Sequence, residues 1–67
     1  MMPSTRPISA FDIVELTEPI DDAPAGARGG VLELTDPATA MVEVTEPGLE
    51  VAERIVFAPL SSLRRVA

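Results

Sequence analysis

A short pattern of alternating apolar and acidic residues occurs three times along this chain, and each copy ends at a proline. The copies span Ile13–Pro19, Val31–Pro37 and Met41–Pro47, and they read IVELTEP, VLELTDP and MVEVTEP. A period of two places neighbouring side chains on opposite faces of a β-sheet, and proline ends the pairing because it has no N–H group to donate. The pattern therefore predicts three strands, each followed by a turn.

Five strands and one helical turn are predicted over the whole chain. The stretch Pro59–Ser62 predicts a single 3-10 turn, because proline suits the first position of a helix and the stretch is too short for an α-helix. A long loop, residues 18–28, separates the first two strands, and its proline, glycine and aspartate are typical of irregular structure. The predicted strands run from about Phe11 to Thr17, Gly30 to Thr35, Ala40 to Thr45, Glu50 to Phe57 and Leu63 to Val66.

This order of elements predicts an all-β fold, a small five-stranded SH3-like barrel with one 3-10 turn before the last strand. Residues 11–67 would form the barrel, and residues 1–10 would form a flexible N-terminal tail. The adjacent Gly29 and Gly30 would let the backbone turn sharply or approach another strand closely. An open five-stranded sheet and a half-barrel that pairs with itself are the alternatives.

The hairpin between the second and third strands predicts which side chains are buried. Its turn is Asp36–Thr39, and alternation puts the leucines of the second strand on the same face as the valines of the third. Glu33 would then lie opposite or nearly opposite Glu43 on the outer face. The expected core contains Val14, Leu16, Leu32, Leu34, Val42 and Val44, and the expected outer face contains Ile13, Glu15, Val31, Glu33, Met41 and Glu43.

The fourth predicted strand has two possible phases, because its second half is continuously apolar. In one phase Val51, Ile55 and Phe57 face the core, and in the other Val56 does. Periodicity alone does not choose between the two phases.

The composition bounds the size of the core and the classes of partner. A chain of 67 residues makes one small domain, and without cysteine or histidine it has no disulfide or zinc site to support it. A permanent partner or a homodimer would therefore help to stabilise it. Eleven acidic residues against five arginines give a net charge of −6, which disfavours nucleic acid and anionic membranes and favours a basic protein partner.

The residue types that most often carry catalysis are absent. The chain has no histidine, cysteine, lysine, tyrosine, asparagine or glutamine, so its serine and threonine hydroxyls lack a neighbouring base. Asp21 and Asp22 are adjacent in the first loop, and adjacent carboxylates seldom converge on one cation. We therefore expect no enzymatic activity, no metal and no cofactor.

The expected outer face combines aliphatic side chains with carboxylates, and this composition suits protein recognition. An apolar centre with an acidic surround can dock on a basic, partly apolar surface, guided by charge and held by apolar burial. The alternative interpretation is that these residues are ordinary β-formers, covered in part by the loops and the tail. The candidate partner-binding residues are Glu15, Glu33, Glu43, Met41, Asp21 and Asp22.

No targeting segment is visible in the sequence. Residues 1–7 are a short tail without the apolar core of a signal peptide, and no apolar run is long enough to span a bilayer. We therefore expect a cytoplasmic protein that does not contact membranes.

Three segments resemble a known family of small bacterial proteins. They are the glycine-rich Ala25–Glu33, the strand Val42–Val44 and the ending Ala58–Val66, and the resemblance covers about residues 11–66. The family is classified as domain of unknown function 4926, and this chain departs from it in having Met41 where an aromatic residue is more usual. The resemblance implies an SH3-like barrel in a bacterial cytoplasm. Members are often encoded beside small toxin-like proteins, which implies an antitoxin or immunity partner.

Two other functions stand as alternatives. In the first alternative, the chain is a noncatalytic subunit of a larger enzyme or ribonucleoprotein assembly. The glycine-rich segment also resembles the KOW motif of ribosomal and transcription-factor barrels, which would imply RNA binding that depends on Arg28, Arg64 and Arg65. Against RNA binding, Arg28 is the one basic residue of that segment and the strand that follows is acidic.

Overall fold

The computed structural model describes residues 7–66. Its strands are β1 (Ile13–Leu16), β2 (Arg28–Asp36), β3 (Thr39–Val44), β4 (Ile55–Pro59) and β5 (Leu63–Arg65), and 3-10 turns at Val51–Glu53 and Leu60–Ser62 precede β4 and β5. All five strands belong to one antiparallel sheet with the order β4-β3-β2-β1-β5. The all-β prediction and the 3-10 turn before the last strand are confirmed.

The strand pairing gives an open sheet. Between residues 7 and 66, β3 pairs with β2 and β4, and β1 pairs with β2 and β5. The strands β4 and β5 are therefore the two edges of the sheet. Closure into a barrel, the finer part of the fold prediction, would need a contact between these edges that the pairing does not contain.

Most of the expected flexible tail, residues 1–6, lies outside the described residues. Of the remainder, Ile8 is half-buried and packs against the core. The Asp12 amide donates a hydrogen bond to the Ser9 carbonyl over 3.1 Å, and the Asp12 carboxylate accepts one from the Ser9 amide over 2.9 Å. This local turn leads the chain into β1.

The predicted hairpin joins β2 to β3. Asp36 and Thr39 are cross-strand partners, so Pro37 and Ala38 form a two-residue turn between them. The Asp36 carboxylate accepts a hydrogen bond from the Ala38 amide over 2.7 Å. Aspartate is common in turns because its carboxylate accepts hydrogen bonds from nearby backbone amides, and proline is common because its ring fixes φ.

An extra residue in β2 shifts the register of this hairpin. Val31 lies opposite Val42, but the next recorded pair is Glu33 with Met41, so Leu32 is left without a partner in the ladder. A bulge of this kind moves the side chains that follow it to the other face. Val31 precedes the bulge and shares the buried face with its partner Val42, whereas Leu32 is 37% exposed.

The predicted burial is wrong in this strand. Leu32 and Leu34 were expected to be in the core and Val31 on the outer face, because strict alternation takes no account of a bulge. Leu34 shares a face with the buried Ala40 but is itself 40% exposed, two residues before the hairpin turn. Val31 replaces both leucines as the large buried side chain of β2.

Glu33 and Glu43 both lie on the outer face, as expected, but the register shift prevents them from lying directly opposite each other. Glu33 lies opposite Met41, whereas Glu43 lies opposite Gly30 on β2 and Ile55 on β4. The two glutamates are therefore separated along the sheet, and no like-charge pair forms directly across the hairpin.

The core is built from small aliphatic side chains on the inner face of the sheet and from the loop that covers this face. Ile20 of the β1–β2 loop packs against the buried cluster, and its amide and that of Ala23 each donate to the other residue's carbonyl, over 2.9 and 2.8 Å. The loop therefore serves as the second layer of the fold. The buried apolar residues are Val14, Leu16, Ala23, Ala27, Val31, Ala40, Val42, Val44, Val56, Ala58 and Leu63.

The start of β4 differs from the prediction. Val51–Glu53 forms a 3-10 turn rather than a strand, and the Glu50 amide donates a hydrogen bond to the Glu53 carboxylate over 2.8 Å. This capping bond favours the turn, so the strand begins at Ile55 instead of near Glu50. Within β4 the inward residue is Val56, which is 1% exposed. The structure thus selects one of the two phases that the sequence left open.

Gly29 lies where β2 passes very close to β3. A Cβ atom at this position would lie 2.4 Å from the Glu43 carbonyl oxygen and 2.9 Å from the Val44 Cα. Both are backbone atoms of a paired strand, so they cannot move aside without disturbing the ladder. At the adjacent Gly30 the nearest atom would be the Ile13 Cδ1, at 4.0 Å. The close approach expected for this glycine pair is confirmed at Gly29.

Replacing Gly29 by alanine should lower the free energy of unfolding by about 2 kcal/mol or more, because the added methyl group forces β2 and β3 apart. Gly30→Ala is the matched control, since its methyl group would make only an ordinary van der Waals contact with the Ile13 side chain and its effect should stay within about 0.5 kcal/mol. Urea unfolding followed by circular dichroism measures both values. Equal midpoints for the two variants would contradict the close approach at Gly29.

A second pair of variants tests the phase of β4. Val56→Ala should lower the free energy of unfolding by about 2 kcal/mol, because it removes two buried methyl groups and leaves a cavity. Phe57→Ala removes a larger side chain that is 59% exposed, and it should cost less than about 1 kcal/mol. The reverse order in the same urea experiment would mean that Phe57 faces the core.

Candidate functional site

The register of the sheet identifies the side chains on the face opposite the core, because cross-strand partners point to the same side. Four of the six predicted binding residues lie on this outer face. Its members are Ile13 and Glu15 on β1, Arg28, Gly30 and Glu33 on β2, Met41 and Glu43 on β3, Ile55 and Phe57 on β4, and Arg64 on β5.

One part of the outer face is both apolar and acidic. Met41 lies between Phe57 on β4 and Glu33 on β2, which are its cross-strand partners. Glu43, two residues further along β3, has Ile55 as its partner on β4. Phe57 is 59% exposed and Ile55 is 38% exposed, so two large apolar side chains contact solvent. We call this set, Glu33, Met41, Glu43, Ile55 and Phe57, the β3–β4 patch.

The charges of the patch are uncompensated within the described chain. The side chains of Glu33 and Glu43 are exposed, and between residues 7 and 66 neither forms an ion pair or a hydrogen bond. Two negative charges therefore lie beside the half-buried Met41 and create a negative potential over an apolar surface.

Glu15 lies on the same face, but its charge is compensated. The Arg64 guanidinium donates a hydrogen bond to the Glu15 carboxylate and forms a salt bridge with it. This hydrogen bond, opposed in part by desolvation and aided by the charges of Arg64 and Arg28, lowers the pKa of Glu15 below its ordinary value. Glu15 therefore lies in a row with two arginines, Arg64 and Arg28, which compensate its charge, and this row is separate from the β3–β4 patch.

Asp21 and Asp22 lie in the β1–β2 loop and not on the outer face of the sheet. Asp21 has a φ of +50°, in the left-handed region that aspartate tolerates, and it lies between the bridged residues Ile20 and Ala23. This loop conformation brings both aspartates to a cavity of about 470 Å³ beside β4. The cavity is lined by Asp21, Asp22, Ala52, Glu53, Ile55 and Val56, so it is acidic as well as apolar.

Sequence reasoning did not assign three residues of these surfaces to a site: Glu53, Ile55 and Phe57. The apolar run of β4 contains Ile55 and Phe57, but the sequence allows either these two residues or Val56 to face the core. Only the pairing of β4 with β3 selects Val56 as the inward residue. Glu53 reaches the cavity because residues 51–53 form a turn rather than the predicted strand.

The described surface offers the chemistry of noncovalent binding, namely exposed apolar groups, carboxylates and backbone hydrogen-bonding groups. Between residues 7 and 66, no three aspartate or glutamate side chains form a group that could hold a metal ion. No helix in the described part of the chain is long and apolar enough to cross a membrane.

No family model matches this chain, and comparison with curated proteins and with solved structures finds no match either. Its function must therefore be inferred from its own residues and surfaces.

Removing the Arg64 guanidinium should raise the pKa of Glu15 toward its ordinary value, because the carboxylate loses its hydrogen-bond donor and a neighbouring positive charge. NMR titration of the Glu15 side-chain carboxyl in the wild type and in Arg64→Ala measures the change. Since the folded-state pKa is lowered, Glu15 contributes stability above its unfolded-state pKa, and that stability is lost as the pH falls through the folded-state value. Arg64→Ala should therefore lose less stability on acidification.

Arg54→Ala is the matched control for this titration, because Arg54 is not among the groups that shift the pKa of Glu15. An equal rise of the Glu15 pKa in both variants would show that the general charge of the protein, and not the contact with Arg64, sets it.

Proposed function

We propose that this chain is a small acidic protein-binding module. It acts on a basic bacterial protein, either as a neutralising partner of the antitoxin or immunity type or as an accessory partner, and it does so in the cytoplasm. The observation that carries the proposal is the β3–β4 patch, where exposed apolar side chains lie beside carboxylates that form no ion pair within residues 7–66.

The apolar part of the patch would provide affinity. Burying a large apolar side chain completely contributes roughly 1.5–3 kcal/mol, and Phe57 and Ile55 each have a third or more of their surface still to bury. Met41 lies beside Phe57, and its flexible side chain can adapt to an irregular partner surface. One contact on this face can therefore bury all three side chains at once.

The acidic part of the patch would provide selectivity. Glu33 and Glu43 repel acidic surfaces and guide basic ones, an effect that appears mainly in the association rate and its salt dependence. The net charge of −6 extends the same field over the rest of the molecule. A partner with a basic rim around an apolar centre fits both parts of the patch.

An accessory role in a larger enzyme or ribonucleoprotein assembly would use the same patch. RNA binding has weaker support, because Arg64 is bound to the Glu15 carboxylate and Arg28 lies near enough to lower the pKa of that carboxyl. We also propose that the chain belongs to the family classified as domain of unknown function 4926, on the three segments that resemble it.

The first test is capture of the partner from the organism that encodes the chain. Tagged protein is used at low and at moderate salt, and the captured proteins are identified by mass spectrometry. We expect one small basic protein in an amount equal to the bait, and this protein should bind the chain again when both are purified. Recovery of ribosomal or RNA-associated material, or of nothing, would contradict the proposal.

Variants of the patch then test the contact itself. Glu33→Gln with Glu43→Gln should weaken binding of the captured protein about tenfold or more, and reversing both charges to arginine should weaken it further. Ala10→Arg with Ala25→Arg is the control, because it changes the net charge by the same amount, from −6 to −4, at exposed positions off the patch. Calorimetric titration measures the affinities, and urea unfolding checks the fold. Equal affinities for the two pairs of variants would exclude the patch as the binding surface.

A further inference from the structure

The outer edge of β4 has backbone hydrogen-bonding groups that no other residue of the described range 7–66 pairs with. The Val44 amide donates to the Arg54 carbonyl over 2.6 Å, and the Leu60 amide donates to the Ala38 carbonyl over 2.8 Å. In an antiparallel pair, hydrogen-bonded positions alternate with positions whose N–H and C=O groups point away from the partner strand. The even-numbered residues of β4 therefore bond to β3, and the odd-numbered residues point their backbone groups outward.

Two consecutive odd-numbered residues offer both a donor and an acceptor. Ile55 and Phe57 each present an N–H and a C=O to this edge, whereas Pro59 has no N–H and ends the usable stretch. Between residues 7 and 66, no strand pairs with this side of β4. The side chains of Ile55 and Phe57 are also the exposed apolar groups of the outer face. An added strand would thus gain backbone bonds and apolar contacts at the same two residues.

The acidic cavity lies on the other side of the same edge. Its wall includes the inward residue Val56 together with Asp22 and Glu53, and Ile55 borders it as well. Its volume of about 470 Å³ is in the range of ligand pockets, roughly 300–1,000 Å³. Side chains of an added strand alternate between the two faces. A residue opposite Val56 would therefore face the acidic cavity, while its neighbours would face Ile55 and Phe57.

From this arrangement we propose that the edge of β4 takes up an extended basic segment of the partner protein as an added antiparallel strand. A lysine or arginine side chain of that segment enters the cavity, and apolar side chains on either side of it pack on Ile55 and Phe57. This inference rests on the proposed function and specifies how the partner is held.

A second copy of the chain fits the edge less well. Pairing two β4 strands would bring two cavities lined by Asp21, Asp22 and Glu53 toward one another, and their charges would repel. A basic segment is instead complementary to the cavity. The added strand would also be short, because Pro59 limits the edge at one end and the 3-10 turn at Val51–Glu53 limits it at the other.

The test uses a synthetic heptapeptide, Val-Arg-Val-Arg-Val-Arg-Val, capped at both ends and titrated into the full chain labelled with ¹⁵N. We expect saturable binding that slows hydrogen exchange of the Ile55 and Phe57 amides about tenfold or more, because both become donors to the peptide. The peptide Val-Glu-Val-Glu-Val-Glu-Val should not bind. Saturable binding without protection of these two amides would overturn the proposal.

Methylation of the peptide backbone separates strand pairing from simple charge attraction. In the proposed register the valines lie opposite Ile55 and Phe57, so their N–H groups point at the edge and the arginine N–H groups point away. N-methylation of the valines should abolish binding, and N-methylation of the arginines should leave it nearly unchanged. Equal binding of the two methylated peptides would overturn the proposal.

Two matched double variants test the cavity. Asp22→Asn with Glu53→Gln should weaken peptide binding about tenfold or more, whereas Asp36→Asn with Glu46→Gln removes the same charge away from the cavity and the patch and should weaken it little. Glutamine at position 53 keeps an acceptor for the Glu50 amide, so the turn should persist. Equal weakening by both pairs would overturn the role of the cavity.

These outcomes are separable from those of the proposed function. The patch variants could lose binding of the partner while the arginine peptide fails to bind the β4 edge. That result would support the proposed function and overturn the proposal of an added strand. Without peptide, the Ile55 and Phe57 amides could become protected from hydrogen exchange as the protein concentration rises, with a doubled mass in sedimentation. That result would assign the edge to a second copy of the chain and overturn the proposal.

Discussion

The register shift at Leu32 is the constraint on which the two faces of this protein depend. Without the extra residue, continuation of the pairing from Val31 and Val42 would place Glu33 opposite the buried Ala40. Burying a carboxylate there without a partner would destabilise the fold by several kcal/mol. Leaving Leu32 partly exposed loses at most about 3 kcal/mol of hydrophobic stabilisation. The bulge thus keeps Val31 in the core and Glu33 on the surface.

The close approach at Gly29 complements the bulge. It fixes the first half of β2 tightly against β3, so that Gly29 lies inside between its partners Val14 and Val44. The bulge then resets the alternation, so that Glu33 faces outward beside Met41. Together the two features let one long strand serve a small core of valine and alanine while presenting carboxylates outward.

The two surfaces that we consider for binding meet in β4. Its outward side chains belong to an acidic and apolar face, and its backbone edge borders an acidic cavity. Exposed apolar edge strands tend to aggregate. Here the edge is short, it ends at Pro59, and the net charge of −6 opposes association of like copies. The same features leave the edge available to a basic segment.

The sequence by itself determined the all-β class, the hairpin at Asp36–Thr39 and the 3-10 turn before the last strand, because alternation, turn residues and proline act over a few neighbouring positions. Tertiary structure alone decided that Val31 replaces Leu32 and Leu34 in the core, and that Val56 faces inward. It also joined Arg64 to Glu15 and brought Asp22 to the start of β4. These outcomes depend on strand register and loop packing, which are set by contacts between residues far apart in the chain, and a period-two pattern carries no record of them.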